Sequence, residues 1–158
     1  MIAMTSQARP LDPDSLTMAA VRAGALRDRP ITVLGLARSG IALTRFLADS
    51  GALVTVYDGR GSADLGAAIE ALGERRVTLV LGPDVDPRST WRTADLVATS
   101  PSITPDYPTS EPRLHAALRE LVDAREGGDP TAPALVSEAD LFLRLCPAPT
   151  IGVTGTKG

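Results

Sequence analysis

Ile31-Thr32-Val33-Leu34-Gly35-Leu36-Ala37-Arg38-Ser39-Gly40 is the stretch that decides the fold. A short apolar, β-branched run stops at a glycine and passes into a segment of helical period, Ser39 to Ser50. In that segment Leu43, Phe46 and Leu47 fall at i, i+3 and i+4 as an inward stripe, and Arg45 and Asp49 sit i, i+4 on an outer face. A strand feeding a helix through a glycine turn is the opening unit of a parallel α/β sheet. The turn matches the fingerprint G-x-G-x-x-G with Ala37 in place of the middle glycine. Gly35 permits the tight turn, Ser39 reads as the N-cap, and Gly40 allows helix and strand to approach closely. The helix start offers unpaired N–H groups and a partial positive charge to a phosphate. The Ala37 methyl disfavours the tight backbone approach of an NAD pyrophosphate. It suits a phosphate held slightly farther out, partly by the Ser39 hydroxyl.

The same alternation continues outward. Leu53 to Tyr57 reads as a second strand, Ala63 to Leu72 as a helix stopped by Gly73, and Val77 to Leu81 as a third strand. Pro87 to Thr93 is a short helix or irregular connection, and Leu96 to Ala98 a fourth strand. Pro112 to Arg125 carries Leu114, Leu118, Leu121 and Val122 on one helical face. Ala134 to Val136 is a short strand, Ser137 starts a capped helix to Leu145, and Thr150 to Val153 predicts a final strand. Before Ile31 lies a polar, proline-punctuated segment with a short helix over Ser15 to Leu26. The strands lack a clean in/out alternation, so both sheet faces should be covered. The reading is an α/β fold: a Rossmann-like, open, mostly parallel sheet with helices on both faces.

Composition narrows the function classes. The 158 residues carry a formal net charge of −3, with 44% hydrophobic and 22% charged residues, as in a folded globular protein. No basic cluster is present and aromatics are 3%, which argues against nucleic acid as a partner. No apolar run approaches the roughly 18 to 20 residues of a membrane span, so no membrane insertion is expected. Cys146 is the single cysteine, which excludes an internal disulfide and fits a reducing compartment. It has no partner at metal-ligand spacing, and no metal site is expected. His115 reads as a surface histidine and Trp91 as a packing residue.

Three stretches carry candidate chemistry. Asp58 ends the second strand, where a carboxylate can accept from a ribose or a base N–H. A strand-end aspartate beside a turn glycine and a capping serine, with no ligand, accounts for the same residues. Gly59 follows, and Arg60 is placed to reach ribose, base, phosphate or simply solvent. Thr99-Ser100-Pro101-Ser102-Ile103 closes the fourth strand at the sheet edge that holds ligands in such folds. Ser100 and Ser102 could donate to phosphate oxygens across a turn set by Pro101, although an ordinary polar turn is the simpler account. Thr154-Gly155-Thr156-Lys157-Gly158 follows an apolar run and has the start of a phosphate loop, ending before the lysine and Ser/Thr that such a loop needs. Standing alone, it would read as a flexible glycine-rich tail.

Taken together, VLGLARSG at Val33 to Gly40, VYDGR at Val56 to Arg60, ATSPSI at Ala98 to Ile103, SEADLF at Ser137 to Phe142 and IGVTGTKG at Ile151 to Gly158 resemble the amino-terminal part of the Mur ligases. The branch that adds D-glutamate is the nearest. The resemblance departs at Ala37 and at Ser102, where glycines are usual. It implies an ATP-dependent ligase of bacterial peptidoglycan synthesis, hence of cell shape and division, acting in the cytoplasm as a monomer. Its substrates would be UDP-N-acetylmuramoyl-L-alanine, ATP with Mg²⁺, and D-glutamate. By the same resemblance, Leu36, Ala37, Arg38, Ser39 and Gly40 would receive the diphosphate. Asp58 would bind uracil with Gly59 and Arg60 alongside, and Ser100, Pro101 and Ser102 would line the crevice. Thr154, Gly155, Thr156, Lys157 and Gly158 would form part of the ATP loop. The expected division is a partly disordered extension over 1–29, a UDP-substrate-binding domain over 30–133, and a linker with the start of an ATPase domain over 134–158, cut within its loop. No catalytic residue is expected among the 158, no cofactor is expected to bind them tightly, and alone they should not ligate. The alternative is an NAD(P)-binding Rossmann domain of an oxidoreductase.

Overall fold

The computed structural model describes residues 10–108 and 111–153. Five strands form one sheet: β1 (Pro30–Leu34), β2 (Leu53–Asp58), β3 (Val77–Leu81), β4 (Leu96–Thr99) and β5 (Ala134–Ser137). Their order is β3-β2-β1-β4-β5, and every pair is parallel. Val33 stands between Val56 and Ala98, and Leu34 between Tyr57 and Thr99. The chain winds outward from β1 first through β2 and β3, then through β4 and β5. The order therefore reverses between β1 and β4, and their carboxyl ends flank the ligand crevice typical of such sheets.

Helices cover both faces, as the apolar strands required. On one face Ile31, Val33, Val54, Val56, Leu96 and Ala98 pack with Leu43 and Leu47 of α2 (Arg38–Asp49) and Leu141 of α5 (Glu138–Leu145). On the other, Leu34, Tyr57 and Val97 pack with Trp91 and with Leu114, Leu118 and Leu121 of α4 (Pro112–Glu126). Neighbouring strand residues thus serve opposite cores, which is the period-2 geometry of a strand buried on both sides. Gly51 and Gly73 end α2 and α3 (Gly66–Ala71) at φ +87° and +66°, the left-handed region open to glycine. Ser137 caps α5, its Oγ accepting from the Asp140 N–H at 3.0 Å.

Several local expectations change. The amino-terminal helix is short, α1 (Met18–Arg22), because Gly24 at φ +97° turns the chain away. The described part of this segment is packed: Leu11, Leu16, Val21 and Leu26 are buried, and the Leu11 N–H donates to the Asp95 carbonyl at 3.0 Å. Asp49 pairs with Arg75 rather than with Arg45, accepting from its Nε and Nη2 at 2.7 and 2.9 Å. The guanidinium fork meets both carboxylate oxygens, a geometry that a helix neighbour placed Arg-before-Asp reaches poorly. Ala134–Ser137, set beyond the boundary at 133 on sequence, is the fifth strand of the same sheet, held by β4. Thr150 to Val153 carries no strand pairing, and Ile151 and Val153 are 91% and 92% exposed. A four-residue apolar run is a strand only where a neighbour supplies its ladder.

Candidate functional site

The carboxyl ends of β1, β2 and β4 open on a cleft of about 600 Å³, within the range of small-ligand sites. Gly35 and Ala37 form its floor at the start of α2, with Asp58, Gly59 and Arg60 on the β2 side and Ser100 and Ser102 on the β4 side. Gly35 needs its φ of +88°, and a Cβ there would lie 2.8 Å from Ile103 Cδ1, so this position admits little but glycine. The N-cap of α2 is Ala37 rather than Ser39. It makes no side-chain cap, and no acidic residue occupies the first turn. The leading N–H groups of this helix have no intrahelical acceptor, and the partial positive charge of a 12-residue helix collects there.

Asp58 organises the β2 side. Its Oδ2 accepts the Leu36 N–H at 2.8 Å, tying the glycine turn to the second strand. Arg60 wraps back on it, with the backbone N–H and Nε donating to Oδ1 at 2.9 and 3.0 Å and Nη2 donating to Oδ2 at 2.8 Å. Burial pushes the Asp58 carboxyl up, but the Arg60 guanidinium and the two backbone N–H bonds outweigh it and hold the group below its ordinary range. The Tyr57 hydroxyl donates to Glu111 Oε1 across the cleft wall. Burial and then the Glu111 carboxylate push the Tyr57 phenol well above its ordinary value, so it stays a donor at any physiological pH. Ser100 is buried, its Oγ 3.4 Å from that of Ser102.

Among the residues singled out from sequence, Ala37, Asp58, Gly59, Arg60, Ser100 and Ser102 meet in this cleft. Leu36 turns its side chain into the core and spends its N–H on Asp58. Arg38 is exposed, Ser39 half-buried in the second helical position, Gly40 packed on Gly35, and Pro101 exposed beside the rim. Thr154, Gly155, Thr156, Lys157 and Gly158 lie outside the described residues. Sequence reasoning missed Tyr57, Pro83, Glu111, Arg113 and Leu114, which complete the lining. Glu111-Pro112 carries a helix-start signal, but only the crossover brings that start over β2.

His115 is half-buried, its Nε2 3.0 Å from the Pro105 carbonyl oxygen, and Trp91 is a packing residue. Among the described residues, no group of three or more His, Cys, Asp and Glu could hold a metal ion, and no helix is long and apolar enough to cross a membrane.

No family model matches the chain. Individual proteins do. A UDP-N-acetylmuramoylalanine–D-glutamate ligase of Trichlorobacter lovleyi is 36% identical over 133 residues, 84% of this chain and 26% of the relative. Proteins of the same name from a Roseiflexus species and from Anaeromyxobacter dehalogenans are 38% and 37% identical over 79% and 84% of this chain, which cover 23% and 25% of them. The chain is a homologue of these ligases. It spans about a quarter of the length of the curated relatives it matches. The resemblance to the D-glutamate-adding ligases read from five motifs is thus borne out across most of the chain. The oxidoreductase alternative finds no support in these relatives.

Proposed function

We propose that the cleft of this ligase homologue holds the UDP end of UDP-N-acetylmuramoyl-L-alanine. The observation that carries the reading is the uncapped first turn of α2, which opens beside Ala37 on a cleft whose β2 side is set by Asp58 and Arg60. A diphosphate suits the helix start, where N–H donors and the dipole meet no competing side chain. A nucleoside then extends along the carboxyl ends toward β2, as in other sheets of this winding. The Ser100 and Ser102 hydroxyls supply neutral donors on the other side.

In this reading the whole protein joins D-glutamate to the L-alanine carboxylate of that substrate in the bacterial cytoplasm, for peptidoglycan synthesis. ATP with Mg²⁺ supplies the activation: it converts the carboxylate to an acyl phosphate, which the D-glutamate amine attacks with release of phosphate. Thr154 to Gly158 would begin the ATP loop. The chain described above binds and orients. It is assigned no catalytic residue, and the 158 residues by themselves should bind as a monomer without ligating.

Calorimetric titration of the 158-residue chain with UDP-N-acetylmuramoyl-L-alanine, with UDP and with NADH tests this. Saturable binding of the first two and none of NADH is expected. Saturable NADH binding without any for the uridine nucleotides would overturn the reading.

A further inference from the structure

Among the described residues, the cleft lining carries four charged side chains: Asp58, Arg60, Glu111 and Arg113. Two carboxylates and two guanidiniums cancel, so an entering phosphate gains attraction only from a cation that can turn toward it. The two cations are held very differently. Arg60 is committed to Asp58, its backbone N–H and Nε donating to Oδ1 and its Nη2 to Oδ2 at 2.8 to 3.0 Å. Arg113 makes one ion contact among the described residues, Nη2 to Glu111 Oε1 at 3.9 Å, which is beyond hydrogen-bond reach. Its side chain is 51% exposed. Burial and Glu111 push the Tyr57 phenol up and Arg113 pulls it back, so the guanidinium stands near the polar end of Tyr57 at the cleft wall. Its place in the helix is unfavourable. Arg113 follows Pro112 in the first turn of α4, where the dipole presents partial positive charge, the N-cap makes no side-chain cap and no acidic residue occupies the turn. Glu111 at 3.9 Å offsets that repulsion only in part.

We propose that Arg113 is the side-chain cation that binds the phosphate of the bound nucleotide, exchanging its loose contact with Glu111 for phosphate oxygens. The inference rests on the nucleotide reading of the cleft and adds a mobile charge to the bare start of α2. A guanidinium fork matches two phosphate oxygens, and Arg60 cannot present its Nε–Nη2 edge without leaving Asp58. Helix α2 packs on one face of the sheet and α4 on the other, so the phosphate is gripped from both sides of the cleft. Uridine and UDP are titrated by NMR into the wild-type chain, Arg113→Gln, Arg113→Lys and Arg119→Gln, with the fold of each checked by circular dichroism. Arg119 lies on the same helix, equally exposed but outside the cleft lining, and controls for the loss of one charge.

Arg113→Gln should weaken UDP about tenfold, the scale of a charge-assisted hydrogen bond, and leave uridine within about twofold, since a neutral nucleoside offers the guanidinium no charge. Arg113→Lys keeps the charge without the fork and should fall between wild type and Arg113→Gln, which keeps the test open if the latter fails to fold. The gap between wild type and Arg113→Gln should narrow as salt rises, because the guanidinium is half-exposed. Arg119→Gln should bind UDP as wild type does. Three results overturn the inference while leaving the cleft a nucleotide site. One is unchanged UDP affinity in both Arg113 variants. Another is an equal loss for uridine and UDP, which would put Arg113 on the base or ribose. The third is an equal loss in Arg119→Gln, which would reduce the effect to net charge. Absence of saturable UDP binding to the wild-type chain overturns the nucleotide reading itself, and the inference with it.

Discussion

A Cβ on Gly40 would lie 1.9 Å from the carbonyl oxygen of Gly35. The first turn of α2 is seated against the turn that launches it, with no room for a methyl group between them. That contact sets where the helix start points, and the helix start faces the cleft.

Gly40→Ala should therefore destabilise the chain by about 3 kcal/mol, the upper part of the range for overpacking, because the obstacle is backbone and cannot swing away. Urea denaturation should show a lower midpoint with an unchanged slope. An unchanged midpoint would mean that α2 can start elsewhere at no cost.

Arg60→Ala should raise the titration midpoint of Asp58. Burial already pushes that carboxyl up, and the opposing pull comes mainly from the Arg60 guanidinium, with the backbone N–H groups of Leu36 and residue 60 remaining. Carbon-detected NMR of the side-chain carboxyl would follow the shift. A midpoint that stays put would show that the backbone donors suffice.

Two buried aspartates should give stability opposite pH dependences. Asp58 has a folded pKa below its unfolded value, so its contribution is present above the ordinary carboxylate range, near about 4, and is lost as pH falls through the folded value. Asp95 is shifted the other way: burial raises it against the pull of Arg29, whose Nε is 3.0 Å away. The folded state then holds its proton more tightly, and stability declines as pH rises from about 4 through the raised folded value. Asp95→Asn should remove that decline in urea midpoints measured from acid to neutral pH, while the acid-side loss due to Asp58 persists.

Leu118→Ala should cost about 2 to 5 kcal/mol, since the side chain is fully buried between α4 and the sheet in the cluster holding Tyr57 and Trp91. Leu53→Ala, on a residue 58% exposed, should stay within about 0.5 kcal/mol. Equal urea midpoints for the two variants would contradict the assignment of that second core.

The strands and long helices were legible because their signals are local. Val33 and Leu34 are apolar neighbours serving opposite faces, and Leu43 and Leu47 recur at the helical period. Half of the cleft was legible for the same reason, since a strand, a glycine turn and a strand-end aspartate lie close along the chain. Ser39 misled because serine is a favoured N-cap. Asp58 binds the Leu36 N–H, Gly35 bends at positive φ, and the N-cap falls two residues earlier, at Ala37, with Arg38 the first helical residue. Thr150 to Val153 misled because an apolar tetrad is indistinguishable from a strand until its partner is known.

The sequence by itself determined the alternating winding, the glycine turn and the covering of both sheet faces, since each follows from backbone sterics and short-range periodicity. Tertiary structure alone decided how the carboxylates are used. Tyr57 and Glu111 are 54 residues apart and Asp49 and Arg75 are 26 apart, and a side-chain hydrogen bond forms only where the packed elements bring donor and acceptor within about 3 Å. The crossover that carries α4 over the sheet places Glu111 beside β2, and no pattern within either segment records that meeting.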